Sequence, residues 1–149
     1  MIAMAGGYQE LEDIALADSA FEAWGDSPAD LFNFAALALM ETMAVPSTVA
    51  ESWQQELELE DSDLKELLFE WLSRMVFLKD AKAVLFHKTE CEVWQDSETQ
   101  IWHVRGRVIG APIDPDTQEL HTDVKAITKH HYDVRRKGQR WFATVVLDV

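Results

Sequence analysis

The chain holds a single cysteine, Cys91, so no internal disulfide can form and a disulfide-built secreted scaffold is excluded. No apolar run approaches the roughly 20 residues of a membrane-spanning helix. Residues 1–7 lack the charged start and long apolar stretch of a signal peptide and are expected to be disordered. These absences predict a soluble cytoplasmic protein. There is no glycine loop of the phosphate-cradling kind, no Cys/His spacing of a metal knuckle and no glycine-flanked serine nucleophile. The first half also has little positive charge. Residues 1–75 carry sixteen acids against Lys65 and Arg74, whereas acids and bases balance in residues 76–149. A field of that sign repels phosphate backbones, so stable direct nucleic-acid binding is not expected. It favours docking to a basic partner surface, or serves simply to keep the protein in solution. The counter-signal is Arg135, Arg136, Lys137 and Arg140 around Gly138, read as a basic hairpin tip.

What is present is core. Of 149 residues 48% are apolar, with six Trp and seven Phe, enough for a single domain over residues 1–149. The alternation from Asp18 to Gly25 reads as a strand, with Asp18 at or just before its start. Ser27-Pro28-Ala29-Asp30 is a helix start: a capping hydroxyl, a proline at the first position and an acid at the positive end. The run from Leu31 to Met40 is apolar on nearly every side, which predicts a helix covered on more than one face, closed by Pro46. Glu51 to Glu60 reads as a half-buried strand. Asp61-Ser62-Asp63 then caps a second helix. Its Leu64, Leu67, Leu68, Trp71, Leu72, Met75 and Val76 recur at three- and four-residue spacing. Four strands follow, Val84–Trp94, Ile101–Val108, Val124–Val134 and Arg140–Val149. They are joined by a Gln95–Thr99 turn, a Gly110–Thr122 loop and a Lys137-Gly138-Gln139 turn. The expected fold is α+β: a two-layer sandwich with two helices on a mostly antiparallel sheet, in the order β-α-β-α and then a β-meander.

The terminal strand carries the most suggestive chemistry. Asp148 and the α-carboxylate of Val149 lie within one residue of each other, and two such anions repel unless a cation sits between them. A third acid from elsewhere would complete an all-oxygen pocket for a hard divalent ion. The other reading is a solvated chain end. Asp114-Pro115-Asp116 with Glu119 lacks the glycine and closing Glu of a calcium loop and reads as a turn. His87 and Cys91 are too far apart on one strand to form a nucleophile pair. His130 and His131 are expected on opposite strand faces, unable to share a metal, with His130 semi-buried.

Taken together, several segments resemble the archease family. They are Gly110-Ala-Pro-Ile-Asp-Pro115 with Thr122-Asp-Val-Lys-Ala-Ile-Thr-Lys-His130, the Trp71-Leu72 helix with Phe77-Leu78, and Asp30-Leu31-Phe32 with Ala35–Ala38. Ala17-Asp18 with Trp24-Gly25 and the closing Val146-Leu-Asp-Val149 match its two ends. The resemblance implies a protein cofactor without catalytic activity of its own. It would activate an RtcB-type, GTP-dependent RNA ligase in tRNA splicing and RNA repair, promoting ligase guanylylation and multiple turnover. It also implies a divalent-metal site (calcium, magnesium or manganese) at Asp18, Asp148 and Val149, and an activating role for Lys125. The rival reading is a chaperone-like modulator of RNA-modifying enzymes that acts through its acidic surface without metal. The sequence departs from the family pattern where a His-Thr-Ala-Asp motif reads Ala15-Leu16-Ala17-Asp18, leaving no histidine ligand at 15. Asp13 is a candidate substitute. Ala111 stands where an acid is common, and Lys129 where an aromatic is.

Overall fold

A computed structural model describes residues 5–12 and 18–149, Asp18 by its backbone alone. Both helices form where their caps stand. The hydroxyl of Ser27 accepts the Asp30 amide at 3.1 Å and Pro28 opens helix α1, Pro28–Met43. The Asp63 carboxylate accepts the Lys65 amide at 2.9 Å and starts helix α2, Leu64–Lys82. Helix α1 ends before Pro46, which begins a short 3-10 turn, Pro46–Thr48. Helix α2 ends on Ala83, which takes the left-handed conformation at φ 52°.

Among the described residues seven strands pair throughout as antiparallel neighbours. In chain order they are β1 Gly6–Leu11, β2 Asp18–Gly25, β3 Trp53–Asp61, β4 Val84–Gln95, β5 Trp102–Pro112, β6 Ala126–Lys137 and β7 Arg140–Asp148. The expected single sheet is two: β1-β2-β7-β6 and β3-β5-β4. Helix α1 packs on β2 and β4, so it touches both sheets, and α2 packs on β6, β3 and β5. That placement explains why α1 is apolar nearly all round: Leu31, Phe32, Ala35, Ala36 and Leu39 are fully buried between the layers. The stripe of α2 meets it there, with the Phe32 and Trp71 rings 6.4 Å apart.

Three further sequence expectations need correction. Gly6 and Gly7, placed in a disordered start, lie in β1, paired with Gly25 and Trp24. Gly110 and Ala111, read as loop, belong to β5, because Gly110 has no side chain to keep it from the Leu85 backbone; a Cβ there would lie 1.8 Å from the Leu85 oxygen. His130 and His131 do not point to opposite faces. The β6–β7 register breaks between Thr128 and Asp133, His131 adopts φ 54°, and the two imidazoles lie 4.1 Å apart. Both histidines are exposed. The bulge cancels the two-residue alternation on which the expectation depended.

Candidate functional site

Strand β7 runs between β2 and β6 and so brings an early and a late segment of the chain side by side. Asp148 stands opposite Asp18 of β2 on one side and Ala126 of β6 on the other. Residues so opposed in an antiparallel pair have Cα atoms about 4.5–5.5 Å apart. The Asp148 side chain is exposed, and Val149 is half-buried and rests on the core. The Lys125 amide donates to the Asp148 carbonyl at 2.7 Å, which sets the exposed lysine at the entrance to β6 beside Asp148. Two residues along the same sheet face comes the row Ala20–Val146–Thr128. The Thr128 hydroxyl is buried there without a hydrogen-bond partner among the described residues.

This corner offers oxygen donors: the exposed Asp148 carboxylate and, two residues along the same face, the buried Thr128 hydroxyl. Such a set suits a hard divalent cation rather than a thiophilic one. Among the described residues no group of three His, Cys, Asp or Glu side chains is arranged to hold a metal ion. The third acid in the expected set is Asp18, placed by its backbone register alone. Asp13 and the Ala15-Leu16-Ala17 segment lie outside the described residues.

The approach to Lys125 is tied down along its length. The Gln118 side chain is buried; it donates to the Pro112 carbonyl at 3.0 Å and accepts the Asp114 amide at 2.8 Å. The Asp114 carboxylate accepts the Asp116 amide at 3.0 Å, making the turn expected of Asp114-Pro115-Asp116. The segment then runs along the end of α1: Glu119 accepts from Val45 at 2.9 Å, His121 donates to Met43 at 2.8 Å and Thr122 to Thr42 at 3.0 Å. The last fastening is Lys79 of α2, whose ammonium donates to the Val124 carbonyl at 2.7 Å, pairs with Asp80 at 2.9 Å and bonds Asp123. Burial works against the Lys79 charge, but the hydrogen bonds and charges of Asp123 and Asp80 outweigh it and hold the pKa above its ordinary value. Sequence reasoning missed Lys79. The signal was there: it lies three residues after Val76 and four after Met75, on the apolar stripe of α2.

The departures from the family pattern have local accounts. Lys129 caps the Phe69 ring from 4.2 Å and pairs with Glu66, so its cation lies over aromatic surface. Ala111 is buried in β5, where an acid would need a partner. The rejected nucleophile pair stays rejected. The His87 Nδ1–H faces the Val49 carbonyl at 2.8 Å, whereas Cys91 turns to Asn33, and burial pushes its thiol up to about 12. The basic hairpin tip forms as expected, with Gly138 at φ 62°, but its cations have partners. Arg135 bonds Glu22 at 2.8 Å, Arg140 bonds Asp26 at 3.1 Å, and Arg136 covers the Trp141 ring.

Comparison with known proteins bears on the family and the fold. The model of the archease protein family (MTH1598/TM1083) matches residues 8–149. The protein archease of Methanopyrus kandleri is 38% identical over 142 residues, covering 95% of this chain and 99% of its own. That of Methanosarcina mazei is 28% identical over 142 residues, covering 95% of each. Among solved structures, protein 1598 of Methanobacterium thermoautotrophicum superposes with a TM-score of 0.79 at 27% identity, over 96% of this chain and 99% of that one. An archease of Thermotoga maritima, described as a possible chaperone, shares the fold with a TM-score of 0.60 at 20% identity, over 95% and 98% of the two chains. With a family match over nearly its whole length and a 38% identical relative of the same extent, this chain belongs to the archease family.

Proposed function

We propose that this protein activates an RtcB-type, GTP-dependent RNA ligase, promoting its guanylylation and repeated turnover in tRNA splicing and RNA repair. The reading is carried by one observation: the register that sets Asp18 opposite Asp148, with the Lys125 amide on the Asp148 carbonyl. Asp18, Asp148 and Val149 would hold calcium, magnesium or manganese. A divalent ion so held supplies concentrated positive charge for phosphate oxygens. The chain's own residues do the rest. Sheet pairing fixes Asp148 from both sides, Val149 is held by its apolar contact, and Lys125 presents a second, exposed cation suited to a phosphate or an acidic partner group.

The test is ligase guanylylation with GTP in the presence and absence of this protein. Asp148→Ala abolishes the stimulation while the folded state is kept, because removing an exposed side chain shifts stability by no more than about 0.5 kcal/mol. Equal stimulation by the variant and the wild type would contradict the site. A second reading is favoured by the outer face of the three-stranded sheet. There Glu56–Arg107–Glu90 and Glu58–Arg105–Glu92 form cross-strand rows with carboxylates in excess. A modulator that used this acidic face without metal would lose its effect as salt is raised, regardless of residue 148.

A further inference from the structure

Lys79 is the buried cation among the described residues, with 4% of its side-chain surface exposed. An ammonium has three donors, and here three acceptors meet it: Asp123, Asp80 and the Val124 carbonyl. A methionine or leucine at this position would continue the stripe of Leu72, Met75 and Val76 and avoid the desolvation of a charge. What the lysine adds is a grip on the backbone of residues 123–124. The next residue, Lys125, donates its amide to the Asp148 carbonyl. A continuous path thus runs from α2 through Lys79 to Val124, Lys125 and Asp148.

We propose that Lys79 is a positioning residue: by holding Asp123 and Val124 from the helix side, it keeps Lys125 docked against Asp148. The proposal rests on the reading of Asp148 and Lys125 as functional, and it separates two properties that a purely structural lysine would keep coupled. Without the ammonium, Asp123 is free to move into solvent, to which its side chain is already largely open. The 123–125 backbone then loses its tie to α2, while the pairing of β7 with β2 is untouched.

The experiment compares wild type, Lys79→Met and Asp123→Asn by amide hydrogen exchange and by titration with Mn²⁺ alone. In Lys79→Met the Lys125 amide exchanges roughly tenfold faster, while the Val145 and Leu147 amides of β7 keep their protection. Mn²⁺ affinity falls roughly tenfold, as for other residues that orient ligands without touching the ion. Asp123→Asn, which keeps the Val124 contact, gives a smaller change in the same direction. Unchanged Lys125 exchange would overturn the proposal, and so would acceleration of all amides of α2 and β7 together. If wild type bound no Mn²⁺, the cation site would fail on its own; the exchange data would still decide what Lys79 holds.

Discussion

At the scale of single residues, most of the informative positions are ones where a side chain or backbone does something its type disfavours. Ala83 closes α2 in the left-handed region, where a Cβ crowds the following carbonyl. Ala83→Gly is expected to stabilise the fold by about 0.5–1 kcal/mol, the relief of that strain less the chain entropy glycine forfeits, as read by chemical denaturation. Lys79 is the same kind of exception, a charge on an apolar stripe, and its position in the helical repeat was legible although its partners were not. Asp123 and the Val124 carbonyl arrive from 44 and 45 residues downstream, and no spacing rule connects them. Asp148 could be read as a candidate from the chemistry of the closing strand, and Asp18 because it carries a motif that resembles a family. That they stand opposite each other is a property of strand pairing that their local sequence does not contain.

Among the elements, the helices were the most legible, because cap, proline and apolar period are local and agree with one another. The meander strands were legible within a few residues for the same reason. Strand β6 was not. Its bulge inserts residues that break the period of two, and so His130 and His131 come together on the surface instead of dividing between faces. Strand β1 was missed because a Gly-Gly start carries almost no strand preference, although its pairing partner is well marked. Strand β5 was cut short because glycine and proline in Gly110–Pro112 read as loop. The real reason for glycine at 110 is close contact with β4. Gly110→Ala is therefore expected to cost at least about 3 kcal/mol, seen as a lowered midpoint in thermal or denaturant unfolding, since the clash is with backbone that cannot give way.

At the scale of the whole molecule, sequence patterns gave the α+β class but not the division into two sheets, which depends on pairings between distant segments. The charge asymmetry between the halves also changes meaning in three dimensions. Acids of β3 lie beside Arg105 and Arg107 of β5, so part of the first half's negative field is neutralised by the second half. The Arg107 guanidinium holds the Glu90 carboxyl below its ordinary range. The four-stranded sheet instead brings early and late segments to one corner, where the proposed site lies. The most direct test of this account is calorimetric titration of the protein with Ca²⁺, Mg²⁺ and Mn²⁺, alongside Asp18→Ala and Asp148→Ala. The account predicts one divalent-ion site in the wild type that each substitution removes while the melting temperature stays within a few degrees. Binding that persists undiminished in both variants, or no binding in the wild type, would contradict it.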